Sequence, residues 1–298
     1  MQTQTTFEIP DIDVPTLQSS AMVLRLSISV YSGRKVDKKT REEVISDKGA
    51  RSRSAASVYK SLFAGDDDLE AINTFASKAR RDVAAITAPW SDNGDRIVST
   101  RNYFEVADLL SSLRAEFNQL VRKFETNYSL KVSNAAFVLG DLFDRNEYPL
   151  PETIMGKFAF TYSFEPVPSS NDFRVDLQNE ALESLKQHYK QTATDRLQMA
   201  MNDVWTRVID EVTRLRDKMI VPEEGKRPRI FATTFEGFKD LVGSLDALNI
   251  TNDPRLEDVR VQLKNALDPV DLDSIRESDD VRVAVRENMQ RVLDKFSV

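Results

Sequence analysis

The chain has 298 residues, 41% of them hydrophobic, and a mean hydropathy of -0.42, values typical of a chain that builds a core and stays in water. The absence of cysteine excludes disulfides, thiolate metal sites and cysteine nucleophiles. The single histidine, His188, excludes multi-histidine metal sites and every Ser-His-Asp pattern that is not built on it. We therefore expect a protein that is not an enzyme.

The net charge of -7 conceals an asymmetry along the chain. Residues 22–60 contain ten Lys or Arg and four Asp or Glu, a net charge of +6, so the remaining residues carry -13. A basic segment in an acidic chain points to a polyanionic partner. No apolar run reaches the roughly 20 residues of a membrane helix, and the N-terminal sequence carries acids where a signal peptide is basic. We expect an intracellular protein without a membrane partner.

Two stretches of alternating hydrophobicity predict strands. Residues 1–20 show no sustained period and predict an extended arm. Residues 24–30 and 158–164 then alternate apolar with polar side chains. The two strands should pair with each other, because a lone strand leaves its backbone groups unpaired. The polar segment 32–54 has little apolar content and predicts a long loop, and loops of this length are usually functional or disordered.

Apolar residues at steps of three and four predict helices over the rest of the chain. Gly65 should end one helix and Asp66 should cap the next, and Asp253 with Pro254 marks another start. The predicted helices are 54–64, 66–86, 102–126, 133–144, 177–220, 234–248, 254–267 and 279–296, where 177–220 is one long helix or two nearly continuous ones. The predicted fold is mainly helical, with a long helix and a small antiparallel sheet, and is not an OB-fold. The predicted organisation is an arm 1–20, a main domain 21–220 with the basic loop 32–54, and a C-terminal helical region 221–298 packed on it.

The basic loop is the main candidate for a binding site. Cations that neutralise phosphates gain affinity by releasing counterions, and flanking aromatic rings offer faces on which unpaired bases stack. The alternative interpretation is a solvated loop that keeps the protein soluble. The candidate nucleic-acid-binding residues are Arg34, Lys35, Lys38, Lys39, Arg41, Arg51 and Arg53, with Tyr31 and Tyr59 as stacking rings.

Three other patterns carry weaker predictions. Lys226, Arg227 and Arg229 form a secondary basic cluster, or instead complement the dipole of the preceding helix. Pairs of aspartates such as Asp141 and Asp144 fit helix caps and turns better than a Mg²⁺ site, so we expect no metal and no cofactor. The apolar seam of the long helix predicts self-association, unless one subunit buries it: Leu197, Met201, Val204, Val208, Val212 and Leu215.

Three segments between residues 24 and 175 also carry a resemblance: residues 26–35 (LSISVYSGRK), the APW break at 88–90, and PVP at 166–168 with DFRV at 172–175. On these segments the chain resembles a family of mainly helical phage proteins, the single-stranded DNA-binding RNA polymerase cofactors of phages with a giant virion RNA polymerase. The resemblance implies a phage protein in the host cytoplasm that holds melted promoter DNA and recruits a phage RNA polymerase. It supplies no motif that identifies binding residues.

We therefore expect a single-stranded DNA-binding transcription cofactor, with DNA, a phage RNA polymerase and other copies of the chain as partners. A non-enzymatic helical scaffold or adaptor for a phage ATPase or assembly, with an incidental basic loop, is the alternative. A metal-dependent nuclease would need a carboxylate pattern that the sequence lacks.

Overall fold

The computed structural model describes residues 17, 19–168, 179–222 and 226–295. Within them the strands are β1 (Ala21–Ser29), β2 (Arg34–Val36), β3 (Tyr59–Ser61), β4 (Ala88–Pro89), β5 (Arg96–Ser99) and β6 (Ala159–Pro166). The helices are α1 (Lys38–Asp47), α2 (Asp67–Ala85), α3 (Tyr103–Thr126), α4 (Tyr128–Leu139), α5 (Pro151–Met155), α6 (Asn179–Lys218), α7 (Ala232–Leu248), α8 (Pro254–Leu267), α9 (Leu272–Glu277) and α10 (Asp279–Asp294). The protein is mainly helical, as predicted, and almost all of the predicted arm lies outside the described residues.

The larger sheet has the strand order β4-β5-β1-β6. β5 pairs antiparallel with β1 and with β4, and β6 is the neighbour of β1 on its other side. The predicted pairing of the two alternating segments is therefore confirmed. The short strands β4 and β5 were not predicted, because two and four residues are too few to show a period.

Most predicted helices are confirmed within one or two residues, and two predictions are wrong. The long helix α6 is continuous from Asn179, and α8 matches its predicted bounds. The Asp66 carboxylate accepts from the backbone N–H of Leu69 at 2.8 Å, as predicted for the cap of the next helix. Gly65 has a positive φ of +73°, but it ends a turn and not the predicted helix. Residues 54–64 contain β3 instead of a helix, and the helix predicted at 133–144 is α4, which begins at Tyr128.

The chain divides into two compact units, and the division differs from the predicted domains. One unit comprises Met1–Arg25, Asp82–Asp108 and Ser163–Val298, and the other comprises Leu26–Arg81 and Leu109–Tyr162. The first carries 23 Lys and Arg against 34 Asp and Glu, a net charge of -11, and we call it the acidic unit. The second carries 18 against 14, a net charge of +4, and we call it the basic unit.

In the acidic unit, the core is built around α6. Helices α7 and α10 pack on α6, and α8 packs on both α7 and α10. The seam of α6 is buried: Leu197, Met201, Val204, Val208, Val212 and Leu215 are each at most 5% exposed. The unit therefore uses internally the seam from which the sequence predicted self-association, and this surface is not free for another copy.

In the basic unit, aromatic rings form a connected cluster. The ring of Phe63 lies 5.5 Å from that of Phe124, 5.9 Å from Tyr128 and 5.4 Å from Tyr148, mostly in edge-to-face contact. The Tyr148 hydroxyl donates to the Leu62 carbonyl at 2.7 Å, so its polar end is satisfied. Burial raises the pKa of Tyr128 and of Tyr148 to about 12. Phe63 directly follows the segment that carries the candidate cations, so this cluster anchors one end of that segment in the basic unit.

Candidate nucleic-acid interface

The segment 32–54, which was predicted to be a loop, contains a strand and a helix in the structure. β2 pairs antiparallel with β3, and α1 lies between the two strands in sequence. The N–H of Leu62 donates to the carbonyl of Gly33 at 2.7 Å, and the N–H of Asp37 donates to the carbonyl of Val58 at 2.9 Å. The loop prediction is therefore wrong for 34–36 and 38–47. We call residues 33–61 the basic module, which contains nine Lys and Arg against four Asp and Glu.

Gly33 forms the turn at which the basic module begins. Its φ is +63°, a conformation that side chains disfavour. A Cβ on Gly33 would also lie 2.9 Å from Cδ2 of Leu69, closer than packed carbons approach. The turn therefore requires glycine at this position, and any larger residue would also displace the Leu69 side chain.

Helix α1 begins at a capping residue. The Asp37 carboxylate accepts from the backbone N–H of Thr40 at 3.1 Å and from the Thr40 hydroxyl at 3.0 Å. The hydrogen bond from the Thr40 backbone is the largest cause that lowers the pKa of Asp37. The helix buries no side chain completely, so this cap and the β2–β3 pairing are its main supports.

The first turn of α1 carries cations where helix stability favours anions. Lys38 and Lys39 occupy the first two helical positions and Arg41 the fourth. A cation at a helix N-terminus is unfavourable by about 0.3–1 kcal/mol, because the macrodipole places positive potential there. These charges therefore do not stabilise α1 through its dipole, whereas the Asp37 carboxylate at the same end does.

The two faces of the β2–β3 ribbon differ in their ion pairs and exposure. Lys35 lies directly opposite Lys60, and the Glu147 carboxylate contacts both ammonium groups, Lys60 at 2.7 Å and Lys35 at 3.8 Å. Because side chains alternate along a strand, Arg34 and Tyr59 lie on the other face. That face is exposed, and the Tyr59 ring is 63% exposed. Lys35 is thus partly neutralised, whereas Arg34 and Tyr59 share a free face.

The remaining module cations lack strong partners. Lys38, Lys39 and Arg51 are exposed and form no ion pair with any residue that the structure describes. Arg53 approaches Glu42 only at 3.9 Å, with both side chains largely in solvent, where an ion pair contributes little. The Nε of Arg41 is buried without a hydrogen-bond partner within the described part of the chain. Sequence reasoning did not single out Lys48, which is exposed just after α1.

The two candidate stacking rings have different environments. Tyr31 is half-buried, with its ring edge-on to Phe63 at 6.3 Å and the ammonium of Lys157 5.7 Å from its centre. Burial, and then the charge of Glu147, raises the pKa of its hydroxyl. Tyr31 therefore belongs to the aromatic cluster, and Tyr59 is the ring with a free face.

The secondary basic cluster lies in the acidic unit, and two of its three cations contact partners within that unit. Arg227 forms an ion pair with Asp279 at 2.7 Å, and the Arg229 guanidinium lies 5.7 Å from the centre of the Phe231 ring. Lys226 is exposed. This cluster and the basic module belong to different units, so the two do not form one site within a unit.

Features of other binding classes are absent from the described ranges. No three His, Asp or Glu side chains there converge to hold a metal ion. No helix among the same residues is both long enough and apolar enough to cross a membrane. In comparisons with protein-family models, curated proteins and solved structures, none matches this chain. The chemistry of the basic module is therefore what points to a function.

Proposed function

We propose that the basic module binds the backbone of single-stranded DNA. The observation that carries this proposal is that the basic module contains several exposed cations without strong ion-pair partners: Arg34, Lys38, Lys39, Arg51 and Arg53. Each cation that contacts a phosphate releases counterions, a source of affinity that an ion-paired cation largely lacks.

The exposed Tyr59 ring favours a single strand over a duplex. Bases in a duplex are stacked on each other, whereas an unpaired base can stack on a tyrosine for about 1–3 kcal/mol. Tyr59 and Arg34 lie on the same free face of the ribbon, so one strand can contact a cation and a ring together. Lys60 and Glu147 stay on the opposite face as structural groups.

We further propose that the protein is a non-enzymatic transcription cofactor in the cytoplasm of a phage-infected host. In this role it holds a melted promoter strand and recruits a phage RNA polymerase. The resemblance of the segments between residues 24 and 175 supports the role, and the charge of the module supports the DNA-binding part of it. Polymerase recruitment would need a protein surface besides the module.

The test compares two variants of equal net charge. The module variant replaces Arg34, Lys38, Lys39 and Arg51 with Gln, and the control variant does the same at four exposed cations outside the module, Arg81, Arg122, Lys264 and Arg286. Fluorescence anisotropy with a labelled single-stranded oligonucleotide should show at least about tenfold weaker binding, or 1.4 kcal/mol, for the module variant only. Equal losses in both variants, or none in the module variant, would refute the proposal.

A scaffold or adaptor remains the second candidate, favoured by the exposed apolar side chains of α4. Phe137 is 94% exposed and Leu130 is 63% exposed, which is unusual unless another surface covers them. The same anisotropy experiment separates the candidates, because a scaffold with an incidental module would not bind the oligonucleotide.

A further inference from the structure

Lys60 is a cation of the basic module that the basic unit itself uses. Its side chain is only 11% exposed, and its ammonium lies 2.7 Å from the Glu147 carboxylate. The same ammonium donates to the carbonyl of Leu142, also at 2.7 Å. We call residues 142–148, which include both partners, the clamp. Because a carboxylate already compensates its charge, Lys60 releases few counterions on contact with a phosphate and is a poor DNA contact.

The clamp is fixed by contacts of its own. Residues Arg145–Glu147 form a 3-10 turn that the Asp144 carboxylate caps. The next residue, Tyr148, is buried in the aromatic cluster, and its hydroxyl donates to the carbonyl of Leu62. The clamp therefore holds β3 and the residue that follows it at two points, Lys60 and Leu62.

The β2–β3 ribbon needs such an anchor. Each strand has only three residues, and all three residues of β2 are exposed. A ribbon of two strands is marginally stable at best unless it packs on another element. Successive side chains point to opposite faces, so an anchor at Lys60 turns Tyr59 and Arg34 away from the clamp. A shift of one residue in the pairing would exchange the two faces and turn the Tyr59 ring away from solvent.

We propose that Lys60 determines the preference of the basic module for single-stranded over double-stranded DNA, because it fixes the ribbon with the Tyr59 ring in solvent. This inference rests on the proposed function of the module. Exposed cations contact the phosphates of single and double strands alike, whereas a tyrosine ring stacks only on an unpaired base. Lys60 is a positioning residue, which contacts the clamp and acts on the DNA through Tyr59.

The first experiment compares two lysines with equally covered side chains. Lys131 is the matched control, since its side chain is also 11% exposed and its partners, Asp66 and Asp68, lie outside the basic module. Anisotropy titrations with one oligonucleotide, as a single strand and as a duplex, give the ratio of the two affinities. Lys60→Met should lower this ratio at least about fivefold, the effect of one lost stacked base, and Lys131→Met should not change it. Both variants are titrated at a temperature at which far-UV circular dichroism shows that they are folded.

Three further measurements separate positioning from direct contact. Tyr59→Ala should lower the ratio as much as Lys60→Met does, and the double variant should lose no more, because the two residues act as one unit. Lys60→Arg should keep the ratio of the wild-type chain, since a guanidinium can also bind the Glu147 carboxylate. The slope of log affinity against log salt for the single strand should be unchanged in Lys60→Met. A slope smaller by about 0.7 would make Lys60 a phosphate contact and overturn the proposal.

Amide hydrogen exchange without DNA tests the anchor itself. Lys60→Met should accelerate exchange in residues 34–36 and 59–61, and Lys131→Met should not. Unchanged exchange in the ribbon of the Lys60 variant would overturn the inference whether or not the chain binds DNA. A wild-type chain that binds neither form of DNA would refute the proposed function. If the wild-type chain prefers single strands and Lys60→Met keeps that preference, or Lys131→Met loses it equally, only the inference about Lys60 is overturned.

Discussion

The two units use their basic side chains in opposite ways. In the acidic unit, Arg96 and Arg207 both donate to the carbonyls of Ala84 and Thr87, at and just beyond the end of α2. Burial, and then the charge of Arg207, lowers the pKa of Arg96 to about 10. In the basic module, by contrast, Lys38 and Lys39 remain exposed at the end of a helix where they are electrostatically unfavourable.

The two sets of basic side chains therefore differ in what they do for the fold. An arginine that satisfies carbonyls at a helix C-terminus stabilises the fold, because those oxygens otherwise lack partners. A lysine without a partner at a helix N-terminus contributes nothing to folding, and a function that needs positive potential is the better explanation for it. Both tryptophans, Trp90 and Trp205, lie in the acidic unit, so tryptophan fluorescence reports on that unit alone.

The largest expected effect is the loss of stability when Arg282 in the acidic unit is replaced. Its guanidinium is buried, with lowered pKa owing mainly to burial, and donates to the carbonyls of Ile275 at 2.8 Å, Pro228 at 3.2 Å and Lys218 at 3.4 Å. Arg282→Met should lower the free energy of unfolding by about 3 kcal/mol, because buried acceptors lose their donors. Urea unfolding followed by tryptophan fluorescence measures the loss. Arg286→Met, one turn along the same helix but exposed, should change stability by less than about 0.5 kcal/mol. Similar losses in the two variants would contradict this assignment.

The second effect is the salt dependence of DNA binding. If five phosphates are neutralised, the slope of log affinity against log salt is about -3.5, so a fourfold increase in salt weakens binding about 100-fold. In the variant that lacks Arg34, Lys38, Lys39 and Arg51, the slope should fall to about -0.7, because each lost phosphate contact removes about 0.7. Anisotropy titrations at several salt concentrations measure both slopes. An unchanged slope would show that the DNA contacts another surface.

A third prediction concerns Lys131 in the basic unit. Lys131→Met removes the ammonium from Asp66 and Asp68, whose side chains are only 13% and 12% exposed, and should lower stability by about 2 kcal/mol. Far-UV circular dichroism should show the loss, and tryptophan fluorescence should not. A shift of both signals together would mean that the units unfold as one.

The same network predicts a pH dependence. Burial raises the pKa of Asp68, but the hydrogen bonds and charges of Lys123 and Lys131 outweigh it and lower the pKa overall. The stabilisation is therefore fully present above the unfolded value of about 3.9 and is lost as pH falls through the lowered folded pKa. In Lys131→Met the acid-induced loss should begin at a higher pH, which a circular dichroism titration measures. If the acid-induced loss begins at the same pH in both proteins, Lys123 alone is enough to keep the pKa of Asp68 low.

The smallest expected effect is at the cap of α1. Asp37→Ala removes the acceptor for the Thr40 N–H and should cost about 1 kcal/mol of helix stability. Amide hydrogen exchange should become faster in α1, because no fully buried side chain supports this helix. Asp271→Ala removes the equivalent cap of α9, where Asp271 accepts from the Ser274 N–H at 2.6 Å, and should leave exchange in α1 unchanged. Slow exchange in α1 of the Asp37 variant would show that other contacts hold it.

Helices whose signals are local could be predicted from the sequence. Helix α8 follows an Asp cap and begins with a Pro, and its buried residues Leu256, Val259, Leu263 and Leu267 recur at helical spacing. The Asp253 carboxylate accepts from the Arg255 N–H as the pattern indicates. Such signals act within one or two turns, so the residues that produce them are neighbours in the sequence.

The basic module was mispredicted because its helix has no apolar period. Helix α1 leaves all its side chains at least partly exposed, so the only sequence signals were the Asp37 cap at one end and Gly49 shortly after the other. Residues 59–61 form a strand instead of a helix because they pair with residues 34–36, some 25 positions earlier. Secondary structure that depends on such a distant partner is invisible in a local window.

By itself, the sequence determined the helical class, the long helical stretch within residues 177–220 and the concentration of positive charge in residues 22–60, since composition, periodicity and caps are local properties. Only the tertiary structure decided which of those charges are free. Glu147 partly neutralises Lys35 from more than 100 positions away, the aromatic cluster takes up Tyr31, and Tyr59 keeps an open face. The exposure of Phe137 was likewise decided by packing, because the chain buries one side of α4 and leaves the other without a partner in its own unit.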